Sequence, residues 1–263
     1  MRIAVGVSCL FAASAVFSTA SAASRPPETI VVTASRIPVP LSAVGSSITV
    51  IDREQIEDRE SAFAIDLLRS VPGVAISQSG SIGSQTQLRM RGAEANQVLV
   101  LIDGIEANDP AGNAEFAFEN LGTWDIDRIE VVRGAQSGLW GSDALAGVIN
   151  VITRQPDETL SVSGFGEGGS FGTWSAGTRI SGAVLGTRAG LSVSSIDSDG
   201  SNSSRNGGED DGYENRTANL SVLSTPTDRL DLAFTRRYSD THKEFYSTDW
   251  LTGLPADTGD ETD

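Results

Sequence analysis

Cysteine is almost absent from this 263-residue sequence. The single cysteine, Cys9, lies in an apolar amino-terminal segment that follows Arg2 and ends at the small-residue pattern Ala20-Ser21-Ala22. This composition is typical of a secretory leader, so we expect residues 1–22 to be a signal peptide. The exported chain would then contain no cysteine, which excludes both a disulfide framework and a thiolate metal site.

Histidine and lysine are equally scarce, with one residue each, His242 and Lys243. His242 lies in a polar segment without a cysteine partner, so we predict neither a histidine-based catalytic triad nor a multi-histidine metal site. We therefore expect no enzyme activity. The formal charge of −16 argues against nucleic-acid binding, because phosphate contacts need a clustered basic surface.

Long apolar runs are also missing after the leader. No segment approaches the roughly 20 apolar residues that a membrane-spanning helix needs. The 28 glycines favour turns, bulges and strands instead. Any membrane role would therefore depend on β-structure.

Residues 46–155 alternate short apolar segments with turns. The segments SSITVID, QLRMRG, QVLVLIDG, DRIEVVRG and GVINVITR have the length and composition of strands. Within SAFAIDLLRSVPGV, a helical spacing places Phe63, Leu67 and Leu68 on one face, and Pro72-Gly73 ends the segment. This range predicts one small α+β domain.

Residues 156–263 follow a different pattern, in which apolar and polar residues alternate with period two. Leu191 and Val193 share one side of a predicted strand, and Leu230, Leu232 and Phe234 share one side of another. A tight turn is predicted near Leu185-Gly186, whereas Asp197 to Glu214 forms a long polar connection. Short turns on one side and long loops on the other are typical of an outer-membrane barrel. A soluble β-sandwich would show the same alternation.

Four segments resemble known sequences in the same order. ETIVVTA, LLRSVPGVAI, LRMRGAEANQVLVLIDGI and DIDRIEVVRGAQSGLWGSDALAGVINVIT are similar to the TonB box and plug domain of TonB-dependent outer-membrane receptors, above all those of the cobalamin (vitamin B12) branch. The resemblance implies an α+β plug domain followed by the first antiparallel strands of a transmembrane β-barrel of about 22 strands. It divides the chain into a signal peptide (1–22), TonB box and linker (23–45), plug (46–155) and the start of the barrel (156–263).

The length of the last range indicates an incomplete barrel. At roughly 20 residues per strand and connection it holds about five strands, fewer than the eight of the smallest barrels. An open sheet in lipid would leave backbone groups unpaired. We therefore expect this sequence to be the amino-terminal part of a longer receptor.

The resemblance implies active import of a scarce nutrient, most closely cobalamin, across the outer membrane and its lipid. The periplasmic protein TonB would supply the energy. An iron-siderophore or haem receptor of the same family is an alternative, and so is a secreted, soluble, β-rich binding protein.

The TonB box would pair with TonB by adding a strand to it. An ordinary first strand of the plug is the alternative for this segment. The predicted box comprises Glu28, Thr29, Ile30, Val31, Val32, Thr33 and Ala34.

Two plug loops, residues 77–86 and 106–114, are implied to contact the ligand. Both are rich in small polar residues that can hydrogen-bond a large ligand. The candidate residues are Gln78, Ser79, Ser81, Gln85, Asn108, Asp109 and Asn113.

The resemblance also implies a structural set in the plug, whose arginines would pair with acidic residues of the barrel wall. This set comprises Arg89, Arg91, Gly92, Asp103, Gly104, Arg133, Gly134 and Gly141.

The long connection resembles the calcium-binding loops of the cobalamin branch, and its carboxylates suit Ca²⁺. A solvated acidic loop is the alternative. The candidate ligands are Asp197, Asp199, Glu209, Asp210 and Asp211.

Overall fold

The computed structural model describes residues 30–31, 33–37, 39–202, 210–227, 229–248 and 255–262. The predicted signal peptide lies outside these ranges, as do Glu28, Thr29, Val32 and Glu209. None of the helices in the described ranges is long and apolar enough to cross a bilayer.

The described part of the chain starts with a two-strand pair and then forms a mixed α+β domain. The pair is β1 (Ile30–Val31) and β2 (Val39–Pro40). The elements of the domain are β3 (Ser47–Ile51), α1 (Arg53–Arg59), α2 (Ala64–Leu68), β4 (Val74–Gln78), β5 (Thr86–Met90), β6 (Val98–Ile102), β7 (Ile105–Glu106), β8 (Ile126–Arg133), α3 (Ser137–Trp140) and β9 (Gly147–Thr153).

Five of these strands form a sheet in the order β3-β8-β9-β6-β7. Strands β6 and β9 run parallel, and the other neighbours are antiparallel. Strands β4 and β5 form a separate hairpin. All four of the apolar segments from QLRMRG to GVINVITR therefore form strands, as predicted.

The main core fills one face of the five-stranded sheet. Ile129 and Ile149 are fully buried there against the helical segment, in which Leu67 and Leu68 are also fully buried. Phe63 joins the same cluster, so the predicted apolar face is confirmed. A smaller cluster of Leu99, Leu101, Ala144 and Val148 lies on the opposite face of the sheet, against Trp140.

Local capping sets the limits of the first helix. The Asp52 carboxylate accepts a hydrogen bond from the Gln55 amide at 3.0 Å and so caps the amino terminus of α1. The helix ends where Glu60 adopts a left-handed backbone conformation (φ 48°).

In the described residues after the α+β domain, six antiparallel strands pair in sequence order; we call them the wall. About five were predicted. They are β10 (Ser161–Gly168), β11 (Trp174–Val184), β12 (Thr187–Ser198), β13 (Tyr213–Thr227), β14 (Leu230–Thr248) and β15 (Pro255–Thr262).

The connections of the wall differ in length at its two ends. Leu185 and Gly186 form a two-residue turn with positive φ at both positions, 50° and 78°, as tight hairpins require. At the other end, residues 199–212 link β12 to β13; we call this stretch the long connection. The predicted boundaries were wrong, because Asp197 and Glu214 are paired inside the strands.

The two faces of the wall have opposite character. Arg179 and Ser192 point toward the α+β domain and are 3% and 1% exposed. Leu191, Leu232 and Phe234 point away from it and are 45%, 52% and 55% exposed. A soluble β-sandwich buries its apolar face, whereas the residues described by the structure leave that face of the wall uncovered. The arrangement therefore favours a lipid-facing wall.

Gly147 provides a test of the sheet packing. A Cβ atom at this position would lie 2.4 Å from the Val132 carbonyl oxygen and 2.4 Å from the Met90 sulfur. We expect Gly147→Ala to destabilise the α+β domain by about 1–3 kcal/mol, because the backbone oxygen cannot move aside. Hydrogen exchange of the β8 and β9 amides measures this change. Gly166→Ala, at a site with nothing within 4 Å, is the matched control; equal exchange in both variants would contradict the expectation.

Candidate functional site

The segment predicted to be the TonB box lies against the plug sheet through a buried carboxylate. The Thr33 amide and hydroxyl both donate to Glu130 Oε2, at 2.9 and 2.6 Å. The Trp140 indole nitrogen donates to the Thr33 carbonyl oxygen at 2.9 Å. Val31, Thr33 and Glu130 are all 0% exposed. Both polar groups of the Thr33 backbone are therefore held by the plug.

This segment is not a strand of the plug sheet. Ile30 pairs with Pro40 and Val31 with Val39, and β1 has no other partner strand among the described residues. The alternative of an ordinary first strand of the plug is therefore excluded for Ile30 and Val31. Among the described residues, the segment is held on the plug by the Thr33 hydrogen bonds, by the burial of Val31 and by the Arg36 guanidinium 4.5 Å above the Trp140 ring.

The first predicted ligand loop follows β4. Gln78, Ser79 and Gln85 are exposed and Ser81 is half-buried. The loop is closed by a hydrogen bond from the Ser79 amide to the Gln85 carbonyl oxygen at 3.1 Å. Its exposed polar side chains remain accessible, as a ligand contact requires.

The second predicted loop uses one of its candidates for its own folding. Asn108 Oδ1 accepts from the Val100 amide at 2.7 Å, and Asn108 Nδ2 donates to the carbonyl oxygens of Val98 and Ala114. Asn108 therefore shapes the loop and holds it on β6. Asp109 and Asn113 are exposed.

A hydrogen bond joins the strand after the first loop to the second loop. Gln87 Nε2 donates to the two Glu115 carboxylate oxygens at 3.2 and 3.0 Å. The structure thus links the two predicted ligand loops to each other, and Glu115 was not among the predicted residues.

The three plug arginines contact groups of the plug itself. Arg133 donates to the Pro72 carbonyl oxygen and the Thr49 hydroxyl, at 2.9 and 3.0 Å. Arg89 donates to Gln87. Arg91, with a left-handed backbone (φ 54°), has its guanidinium beside Gly134. In the described ranges none of them meets a wall acid, and Arg89 pairs instead with Glu94 of the plug at 3.8 Å.

The other predicted structural residues occupy turns. Gly92, Gly104, Gly134 and Gly141 all have positive φ angles, between 81° and 111°. Asp103 accepts hydrogen bonds from the Thr153 amide and hydroxyl at 2.8 and 2.7 Å, which ties the end of β6 to the end of β9.

In the described residues, the most buried ion pair between plug and wall joins a wall cation to a plug acid, whereas plug arginines and wall acids were predicted. Arg179 of β11 donates to Asp125 Oδ1 of the plug at 2.7 Å, and the two side chains are only 3% and 8% exposed. The same guanidinium donates to the carbonyl oxygens of Arg154 and Gln155 at 2.9 Å each. Arg179 therefore joins the wall, a plug loop and the segment that connects plug to wall.

A second ion pair crosses the same interface between plug and wall, which we call the seam. Lys243 of β14 lies 3.3 Å from Glu119 Oε1 of the plug. Lys243 is the only lysine in the sequence. This rarity was the one sequence feature that could have pointed to the Lys243–Glu119 pair. Wall cations and plug acids, rather than plug arginines and wall acids, form the ion pairs of the described seam.

The predicted calcium ligands do not gather in the described part of the chain, where no three His, Cys, Asp or Glu side chains form a metal cluster. Asp197 lies in β12, and Asp210 accepts a hydrogen bond from the Asn202 amide at 2.9 Å. Glu209 is outside the described residues. Calcium binding stays a prediction.

The fold and the seam define a class of protein. An α+β domain packs on the polar face of an antiparallel wall, the other face of the wall is apolar, and a short leading strand docks on the domain. This is the architecture of a plug beside the wall of a transmembrane β-barrel.

Comparison with known proteins agrees with this architecture. Residues 40–148 match the model of the TonB-dependent receptor plug domain. The vitamin B12 transporter BtuB of Vibrio vulnificus (strain CMCP6) is 43% identical over 132 residues, which cover 50% of this chain and 22% of that protein. The match over residues 40–148 agrees with the resemblance found in the sequence.

Solved structures extend the likeness into the wall. The pyoverdine outer membrane receptor FpvA of Pseudomonas aeruginosa PAO1 matches with a TM-score of 0.69 at 18% identity, over 87% of this chain and 33% of that one. The alcaligin receptor FauA of Bordetella pertussis matches with a TM-score of 0.68 at 19% identity, over 81% and 35%. At such identities the likeness concerns the fold. The chain spans about a third of these receptors' length.

The Arg179–Asp125 pair gives a pH-dependent prediction. Burial raises the pKa of the Asp125 carboxyl above its usual 3.8, and Arg179 only partly offsets this. Arg179→Met removes that cation, so the pKa rises further. A raised carboxyl pKa means that the stability tied to this group is complete below pH 3.8 and is lost as the pH rises through the folded-state pKa. We expect a loss of about 3–5 kcal/mol at neutral pH and less in acid.

Hydrogen exchange of the β8 and β9 amides at several pH values, corrected for intrinsic rates, measures this loss. Arg179→Met combined with Asp125→Asn is the control, because it removes the titrating group together with the cation. The double variant should lose the pH dependence. A penalty in Arg179→Met that is equal at acid and neutral pH would contradict the prediction.

Proposed function

We propose that this chain is the plug and first wall strands of a receptor that imports cobalamin across the bacterial outer membrane. The observation that carries the proposal is the 43% identity over 132 residues to a vitamin B12 transporter. In this proposal the signal peptide directs export, the apolar face of the wall contacts outer-membrane lipid, and TonB in the periplasm supplies the pulling force.

Ligand binding is assigned to the plug loops. A large, amide-rich ligand such as cobalamin needs many hydrogen-bonding partners on an accessible surface. Gln78, Ser79, Gln85, Asp109 and Asn113 are exposed polar residues of the two loops. The Gln87–Glu115 hydrogen bonds hold these loops together, so a single ligand can contact both.

Energy coupling is assigned to the leading segment. A partner protein can add a strand to the edge of β1 that faces away from β2, since β1 pairs with β2 alone among the described strands. Force on this segment reaches Glu130 and Trp140 through Thr33. Glu130 belongs to β8, which begins directly after Asp125, so the docked segment and the seam load the same strand.

Ligand identity is tested by binding to the full-length receptor. We expect cyanocobalamin to bind with a Kd in the nanomolar range or below and haem and ferric siderophores to bind at least about a hundredfold more weakly, a difference of about 2.7 kcal/mol. Titration of the purified receptor in detergent measures all of these. Tight siderophore binding without cobalamin binding would contradict the assignment of cobalamin as the ligand. It would not contradict the assignment to the receptor class.

The coupling segment is tested by a proline at its centre. Val32→Pro removes a backbone amide that strand addition uses, so we expect TonB-dependent uptake to fall to background while cobalamin binding is unchanged. Ile37→Pro, at a 63% exposed position outside the predicted box, is the matched control. Uptake by Val32→Pro equal to that of Ile37→Pro would refute the coupling role.

A further inference from the structure

A wall tyrosine packs directly on the first ligand loop. Gly83 lies in this loop, is buried, and has a φ of 78°. A Cβ atom on Gly83 would lie 1.9 Å from Cδ2 of Tyr213, the first residue of β13. The Tyr213 ring therefore occupies the space above the loop backbone, and only glycine fits between them.

The remaining contacts fix Tyr213 itself. Its hydroxyl donates to the Glu119 carbonyl oxygen at 2.9 Å, and its ring meets Phe63 edge-on with centroids 5.8 Å apart. The residue is 2% exposed. Because the ring and the hydroxyl both contact the plug, its side chain has little freedom to move away from Gly83.

Glu119 holds the same loop at a second point. Its Oε2 accepts from the Thr86 amide at 3.3 Å, while its Oε1 accepts from Lys243 of the wall at 3.3 Å. The loop is thus attached to the wall at Gly83 through Tyr213 and at Thr86 through Glu119 and Lys243.

Tyr213 also ends the long connection. The residue before it, Gly212, exchanges two hydrogen bonds with Glu244 of β14, at 3.1 and 3.0 Å. Tyr213 itself pairs with Ser198, the last residue of β12. Gly212, the carboxyl-terminal end of the long connection, is therefore held by β14 directly beside Tyr213.

We propose that Tyr213 is a positioning residue that sets the place of the first ligand loop and couples it to the long connection. A ligand held between plug and wall needs its contact groups within fractions of an ångström of the right position. The buried Tyr213 ring packs directly on the Gly83 backbone. This contact supplies that precision, because neither the ring nor the loop can shift without leaving a void or causing a clash. The proposal rests on the proposed function for its ligand.

A double-mutant cycle in the full-length receptor tests the contact. Gly83→Ala should weaken cyanocobalamin binding by at least about tenfold, through its clash with the ring and through the strain of a side chain at a φ of 78°. Tyr213→Ala should weaken it comparably. The double variant should lose less than the sum of the two single losses, because removing the ring also removes the clash. Tyr213→Leu replaces Tyr213→Ala where the alanine variant fails to insert into membranes. Tyr238→Ala is the matched control, because Tyr238 is 57% exposed on the outer face of β14. In the double variant of Tyr238→Ala and Gly83→Ala, the two changes in binding free energy should add.

A ligand-free measurement separates this proposal from the proposed function. Spin labels at Ser79→Cys and Asp199→Cys report the distance between the first ligand loop and the long connection. Cys9 of the predicted signal peptide is the only cysteine in these 263 residues, and any further cysteine of the full-length receptor is replaced with serine. We expect this distance to shift or broaden in Tyr213→Ala and to be unchanged in Tyr238→Ala. A shift of this distance in a receptor that does not bind cobalamin would support the positioning role of Tyr213 and overturn the assignment of cobalamin as the ligand. Additive binding losses with an unchanged distance would overturn the role of Tyr213.

Discussion

The contact between Arg179 and Asp125 is the constraint on which the arrangement of plug and wall depends. One guanidinium bonds a plug carboxylate and two carbonyl oxygens of the connecting segment. The wall leaves the plug immediately after this segment, so the contact fixes where the first strands start relative to the plug. A buried charge of this kind is tolerated only when its partners are in place, which makes the geometry specific.

The rest of the seam follows the same chemistry. Within the described residues, Ile196 and Tyr213 are the only wall residues in the apolar core of the plug. The remaining contacts of the described seam include the Lys243–Glu119 pair and polar strand positions such as Ser192. Polar contacts can exchange with water, whereas an apolar interface would lose its burial when the plug moves. A plug that must be held firmly and still be displaced is therefore better served by a few ion pairs than by a continuous core.

Local patterns were sufficient to predict the elements. Strand-like segments such as QVLVLIDG and the alternation of Leu230, Leu232 and Phe234 depend on neighbouring residues alone, and the structure confirms them. The polarity of the seam could not be predicted in this way, because the pairing of Arg179 with Asp125 depends on how β11 lies across the plug. The role of Asn108 was also hidden, since its amide serves three backbone groups that are brought together only by folding. An acid within the apolar strand IEVV, Glu130, was a visible signal of the docked segment, but its partner Thr33 lies 97 residues away.

Energy-dependent accumulation of cobalamin by cells that carry only the full-length receptor tests the central claim most directly. Labelled cyanocobalamin is followed with and without an uncoupler of the inner-membrane proton gradient. The account predicts that the uncoupler abolishes accumulation inside the cell and leaves surface binding intact, because ligand binding belongs to the loops and movement of the plug requires TonB. Accumulation that continues at the same rate in the presence of the uncoupler would contradict it.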